Sequence, residues 1–145
     1  MVATVQEMLD KKGSEIFSVD KDSVVFDALK LMAEKGIGAV LVTENYEVIG
    51  IFSERDYARK VILEGKSSKD TPVKDIMSGN VVYVTPNRTA EECMALMIDK
   101  RIRHLPVYKE NKLAGLISIG DVVKAVINEK QYAIQELENY IIGRR

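Results

Sequence analysis

The chain is poor in the residues that carry most redox, metal and acid–base chemistry. Its 145 residues include one cysteine, one histidine, three prolines and no tryptophan. A single cysteine excludes an intrachain disulfide, and one histidine with one cysteine cannot build a zinc site of the usual kind. Because no trio of nucleophile, base and acid is visible either, we predict that the protein is not an enzyme and requires no metal or other cofactor.

Long apolar runs and a large net charge are also missing. No run approaches the roughly 18 residues of a membrane-spanning helix, and the first residues, with Glu7 and Asp10, lack the pattern of a signal peptide. We therefore expect a soluble cytoplasmic protein. A net charge of −1 gives no overall attraction to nucleic acid or to an acidic membrane, so neither is expected as a partner. The lone Cys93 lies in an apolar helical pattern and is predicted to pack in the core.

What the chain does contain is an internal repeat. The segment Gly50–Asp56 returns sixty-five residues later as Gly115–Asp121, with glycine, serine and aspartate at the same spacing. Apolar positions before and after it recur at the same offset, as in Met32 and Met97. Such self-similarity predicts two similarly folded halves. We place the first repeat at residues 1–66, the second at 67–128 and a C-terminal helical extension at 129–145.

Hydrophobic periodicity and turn residues predict the same element order, strand, helix, strand, strand, helix, in both repeats. The elements expected in the first repeat are a strand at Glu15–Val19, a helix at Val24–Lys35 capped by Ser23 and ended by Gly36, strands at Ala39–Thr43 and Val48–Phe52, and a helix from Ser53 to near Gly65. Those expected in the second are a helical turn at Val73–Met77, a strand at Asn80–Thr85, a helix capped by Thr89, strands at Leu105–Tyr108 and Leu113–Ile117, and a helix from Asp121 to Ile142.

The repeated motif reads Gly-x-x-Ser-x-x-Asp, at the predicted junction of a strand and a helix. A hydroxyl beside the unpaired N–H groups of a helix start can bind an anion such as phosphate. An ionised carboxylate three residues on can accept two hydrogen bonds from a vicinal diol such as ribose. The same Ser-x-x-Asp spacing is also a helix capping box, in which both side chains satisfy the helix itself. From the residues alone, a nucleotide site and a purely structural cap both stay open.

Two such repeats, each with this motif at its last strand-to-helix junction, resemble a CBS-domain pair (Bateman module) of the small stand-alone type. The segment Arg101–Val107 is also similar to the family's basic segment entering the middle strand. The resemblance covers about Val5 to Ile127. It implies an α/β (α+β) fold of two pseudo-symmetric β-α-β-β-α CBS repeats packed through their sheets, with a short N-terminal helix and an extended C-terminal one.

The family commonly binds adenosine-containing ligands, such as AMP, ADP, ATP, NAD or S-adenosylmethionine, in clefts between the two repeats. By this resemblance Asp56 would hold a ribose and Ser53 would lie near the phosphate. The further ligand-binding residues expected in that cleft are Arg55, Val81, Val82, Ile102, Arg103 and His104. For Arg55 a solvated helix-start residue, and for His104 a structural strand-end histidine, stay open as alternatives. The residues expected in the pseudo-symmetric cleft are Ser118, Asp121, Ile16, Phe17 and Ile37.

The two clefts are not expected to be equivalent. Where the second repeat has Arg103 and His104, the first has Gly38 and an alanine, which offer no side-chain cation to a phosphate. We therefore predict that the Asp56 cleft prefers the more phosphorylated ligand, and that the Asp121 cleft binds weakly or stays empty.

The last predicted helix carries an apolar stripe beyond what the repeat needs, formed by Ile127, Ile134, Leu137 and Ile141. Such a stripe either covers the first repeat or forms a partner surface, and we expect a homodimer. We interpret the chain as a regulatory adenine-nucleotide sensor, with AMP, ADP, ATP or NAD as ligand, that modulates an unidentified protein or its own dimer. The alternative is a protein–protein interaction scaffold without a ligand.

Overall fold

A computed structural model describes residues 2–13 and 15–143 and divides the chain into two compact units. The central unit is Ile16–Val81, and the terminal unit consists of the segments up to Glu15 and from Val82 onward. Each unit therefore combines the strands and helices of one sequence repeat with the short helical segment that begins the other repeat. The repeat boundaries placed at residues 66 and 67 describe the sequence, whereas the packing units begin and end about fifteen residues later along the chain.

The helices and strands follow the predicted order, with mixed α and β structure in both units. In chain order they are α1 Val5–Lys12, β1 Ser18–Asp20, α2 Val25–Lys35, β2 Ala39–Glu44, β3 Glu47–Ser53, α3 Glu54–Tyr57, a π-helix Ala58–Ile62, a 3₁₀ helix Val73–Asp75, α4 Ala90–Lys100, β4 His104–Lys109, β5 Lys112–Ser118 and α5 Ile119–Ile141. The predicted hairpins, the left-handed Gly36 after α2 and the long last helix are confirmed.

The central unit is built on a three-stranded sheet in the order β1-β2-β3. Strand β1 runs parallel to β2, and β2 pairs antiparallel with β3. Strand β2 is fully buried from Ala39 to Val42, as expected for an apolar strand covered on both faces. The buried core beside it consists of Val25, Ala28, Met32, Val40, Val42, Phe52, Val61, Val73 and Ile76.

The terminal unit packs α1, α4 and α5 around the antiparallel pair β4-β5. Its buried core includes Cys93, which confirms the predicted packing role of that residue. Burial raises the pKa of the Cys93 thiol to about 11, so the side chain stays a protonated, apolar group at neutral pH.

One predicted strand is wrong. Residues 80–85 form no strand, and only Val84 makes an isolated parallel bridge, to Val107. In the central unit the equivalent ladder continues because Leu41 donates its N–H to the carbonyl of Phe17. The residue that corresponds to Leu41 in the second repeat is Pro106, which has no N–H to donate. The parallel ladder therefore ends after a single bridge.

Three helix predictions also need correction. Ser23 does not cap α2, because the N-cap residue is Val24 and no side chain caps that helix end. The helix predicted from Ser53 to near Gly65 is α-helical for only four residues and continues as the π-helix. The segment predicted as a helical turn from Val73 is a 3₁₀ helix that ends at Asp75.

The glycine of each motif allows the short helical segment of the same unit to lie against the strand. A Cβ atom added at Gly50 would lie 2.5 Å from Sδ of Met77 and 3.0 Å from the carbonyl oxygen of Ser78. A Cβ added at Gly115 would lie 2.6 Å from Cδ2 of Leu9. These contacts leave no room for a side chain at either position, so the packing requires glycine at both.

Replacing Gly50 with alanine is expected to lower the free energy of unfolding by about 1–3 kcal/mol, because the new methyl group overlaps Met77 and a backbone carbonyl. Gly79→Ala is the matched control, since an added Cβ there meets nothing within 4 Å. Urea unfolding of both variants measures the difference. Equal stability of the two would show that the enclosed space at Gly50 is not required.

Candidate functional site

The first motif forms a complete capping box at the start of α3. Ser53 Oγ accepts a hydrogen bond from the Asp56 N–H at 3.3 Å, and Asp56 Oδ2 accepts from the Ser53 N–H at 2.9 Å. The Ser53 hydroxyl also donates to the same carboxylate oxygen at 3.1 Å. The capping role that the sequence left open is therefore present, and it fixes the carboxylate at the end of β3.

The second carboxylate oxygen of Asp56 faces two further polar groups. Oδ1 accepts a hydrogen bond from Ser78 Oγ at 3.3 Å and forms an ion pair with Lys60 Nζ at 3.2 Å. Lys60 lies in the π-helix and also donates to the carbonyl of Ile76 at 3.2 Å. Asp56 is only 8% exposed, so its charge is held in a largely desolvated position by these donors.

The second motif repeats the box at the start of α5. Ser118 Oγ accepts from the Asp121 N–H at 3.3 Å, and Asp121 Oδ2 accepts from the Ser118 N–H at 2.8 Å and from its hydroxyl at 3.0 Å. Lys12, the last residue of α1, places Nζ 2.6 Å from the same oxygen. Burial alone would raise the pKa of Asp121, but the bonds from Lys12 and Ser118 outweigh it, and the pKa is lowered.

Both lysines were absent from the residues predicted from the sequence. Lys60 follows Asp56 by one helical turn, a spacing that favours ion pairs on a helix and that could have identified it. Lys12 carries no such signal, because it precedes Asp121 by more than one hundred residues and reaches it only through the packing of α1.

The remaining predicted site residues fall into both units. In the central unit, Arg55 is exposed, whereas Val81, Ile16, Phe17 and Ile37 are partly buried. In the terminal unit, Arg103 is exposed and His104, Val82 and Ile102 are partly buried. The structure brings Ser53 and Asp56 together, and likewise Ser118 and Asp121. The grouping of these residues into two clefts stays a prediction.

A groove of about 540 Å³ opens beside the first motif, within the central unit. Its walls combine side chains of α2, the segment that follows α2, and both ends of α3. The lining residues are Leu29, Met32, Ala33, Gly36, Ile37, Gly38, Glu54 and Tyr57. Among the described residues there is no cluster of three or more potential metal ligands. No helix in the described ranges has the length and apolarity to span a membrane.

Comparison with known proteins gives a consistent result. The family model described as "CBS domain" matches twice, at residues 5–63 and 73–128. The chain is 40% identical to the mitochondrial CBS domain-containing protein CBSX3 of Arabidopsis thaliana, over 97% of this chain and 72% of that protein. It superposes with a TM-score of 0.83 on a signal-transduction protein with CBS domains from Burkholderia ambifaria, at 53% identity, covering 87% of this chain and 95% of the other.

A more distant solved structure, a hexameric CBS-CP12 protein from bloom-forming cyanobacteria, has a TM-score of 0.76 at 32% identity, over 85% of this chain and 71% of that one. The names of these relatives describe CBS-domain and signal-transduction proteins and mention no catalytic activity. Two family matches cover most of the chain, and the duplicated motif, the hairpins and the element order agree with them. The chain belongs to the CBS-domain family and is a CBS-domain pair.

Proposed function

We propose that the chain is a non-enzymatic regulatory module that binds an adenosine-containing nucleotide through its Ser-x-x-Asp motifs. The observation that carries the proposal is the Asp56 carboxylate, which is buried, fixed by its own helix cap and paired with an ammonium group. A carboxylate held in this way can accept hydrogen bonds from both hydroxyls of a ribose. Its side chain does not have to be ordered first.

The carboxylate keeps capacity for such a ligand. Its cap uses Oδ2, whereas Oδ1 is engaged at 3.3 Å by Ser78 and at 3.2 Å by Lys60. Hydroxyl–oxygen hydrogen bonds are usually near 2.7–2.8 Å, so the contact from Ser78 is long and a ribose hydroxyl can replace it with a shorter one. The cap itself need not be broken.

The phosphate groups of the ligand are proposed to meet polar and cationic side chains. Ser53 at the helix start, Arg103, His104 and Arg55 are the proposed contacts, with Val81, Val82 and Ile102 enclosing the base. Because arginine offers a fork of donors, this arrangement favours a ligand with more phosphate groups. ATP, ADP, AMP and NAD all meet these requirements. Binding would shift the conformational equilibrium of the chain, and a partner protein that recognises the ligand-bound state would be regulated by it. A cytoplasmic location fits such a role.

The alternative is an interaction scaffold without a ligand. It is favoured by the two complete capping boxes, since both serine–aspartate pairs already satisfy their helices. The two functions differ in one measurable property. A ligand that binds only the folded protein raises its melting temperature further as the ligand concentration rises above Kd, whereas a scaffold does not respond.

Calorimetric titration and thermal shift with AMP, ATP and NAD test the proposal. We expect at least one of them to bind, and Asp56→Asn to weaken it at least about tenfold, because the charge that accepts the diol is lost. Asn keeps the size of the side chain and an oxygen for the cap. Asp70→Asn, at an exposed carboxylate of the same unit, is the charge-matched control. Unchanged affinity together with an unchanged number of bound nucleotides per chain in the D56N variant would refute the assignment.

We further propose that the chain forms a homodimer through α5. Ile127, Ile134 and Ile141 recur every seven residues, and with Leu137 they are between 50% and 72% exposed, so they do not belong to the core of the described chain. A seven-residue apolar repeat on an exposed helix is typical of a seam between two helices. A second copy offers the same stripe and is self-complementary about a twofold axis.

Ile134→Glu is expected to convert the dimer to a monomer, because it places a charge at the centre of the proposed seam. Gln135→Glu adds the same charge one residue along, outside the stripe, and should leave the dimer intact. Size-exclusion chromatography with light scattering gives the mass of each species. A monomeric wild type, or an I134E variant of dimeric mass, would contradict the proposal.

A further inference from the structure

Lys12 gives the second motif a cation that the sequence comparison of the two repeats did not reveal. Its ammonium group lies 2.6 Å from Asp121 Oδ2 and 2.8 Å from the carbonyl oxygen of Leu116. The Lys12 side chain is 37% exposed and that of Asp121 is 26% exposed, so the pair is open to solvent on one side.

The first motif has the same arrangement, reached in a different way. Lys60 also binds the motif aspartate and one backbone carbonyl, that of Ile76. At the sixty-five-residue offset, the position of Lys60 is occupied in the second repeat by Ala125. The second ammonium group comes instead from Lys12 on α1. A duplicated chain would copy one lysine to both places, yet here two unrelated positions supply the same group to both aspartates.

The chemistry of the pair suits a ligand with a diol beside an anion. An isolated Asp121 carboxylate would accept hydrogen bonds from ribose hydroxyls but would repel a phosphate a few ångströms away. An ammonium group next to the carboxylate offsets that repulsion, and a lysine side chain has three donors on a flexible stem. Among the described residues, Asp121 and Leu116 accept from two of the three Lys12 donors, and the third is proposed to meet an anion.

We propose that Lys12 is a specificity-determining residue of the Asp121 site, which selects phosphorylated over unphosphorylated nucleosides. The proposal rests on the nucleotide-binding function proposed above and names a group that recognises phosphate at the Asp121 site, to which the sequence comparison assigned no arginine–histidine pair. It replaces the expectation that the Asp121 site binds weakly or stays empty. A purely structural ion pair, anchoring α1 to α5, would give no such selectivity.

The experiment compares AMP with adenosine, which differ only in the phosphate group, by calorimetric titration of the full chain. Asp56→Asn serves as the background, so that the Asp121 site is observed alone. In that background Lys12→Met should weaken AMP at least about fivefold, while adenosine binds equally well or more tightly because Asp121 no longer has a competing ion pair. Lys12→Arg keeps the charge and should retain AMP affinity within about twofold.

Lys11→Met is the matched control, because it removes the same charge from the neighbouring exposed residue of α1. We expect it to leave both affinities unchanged. An equal loss of AMP and adenosine in K12M, an unchanged AMP affinity, or an equal loss in K11M would each overturn the role of Lys12. AMP binding to the wild type but not to the D56N background would also overturn it, with the nucleotide-binding function left standing. A wild type that binds no adenosine-containing nucleotide would overturn that function itself.

Discussion

The close packing of a neighbouring segment against each of two strand glycines is the constraint on which the rest of the structure depends. Because Gly50 and Gly115 have no side chain, Met77 and Leu9 lie directly against strands β3 and β5. The residues that follow each contact then reach the motif aspartates, as Ser78 does for Asp56. In the terminal unit the same packing carries the end of α1, and with it the lysine, to the second aspartate. The glycine thus belongs to the site through packing, without touching a ligand.

Each motif carboxylate has a structural role before it has any functional one. The capping boxes stabilise the starts of α3 and α5, by about 1 kcal/mol each for caps of this type. The same bonds fix the position of the carboxylate. The protein therefore loses less side-chain entropy when a ligand binds. A cap and a nucleotide site are therefore compatible uses of one side chain. The proposed ligand-binding use rests on the lysine beside each aspartate, which places a cation next to the fixed carboxylate.

Much of this could be predicted from the sequence, because the information was local or duplicated. The sixty-five-residue repeat, the hairpins, the terminator Gly36 and the motif's position between strand and helix all follow from short patterns, and the structure confirms them. The failures that bear on the site and on the sheet were non-local. Pro106 ends the parallel ladder after a single bridge. Nothing in the propensities of residues 80–85 themselves indicates that the strand is lost. The exchange of short helical segments between units, and the approach of Lys12 to Asp121, depend on packing alone.

The central claim is that a carboxylate fixed by its own helix cap also holds the ribose of a nucleotide. A crystal structure of the full chain grown with AMP tests it most directly. The account predicts both ribose hydroxyls within hydrogen-bonding distance of the Asp56 or Asp121 carboxylate, with Ser53 or Ser118 still bonded to that aspartate and the capping box intact. A nucleotide bound elsewhere, or with its ribose turned away from both carboxylates, would contradict it.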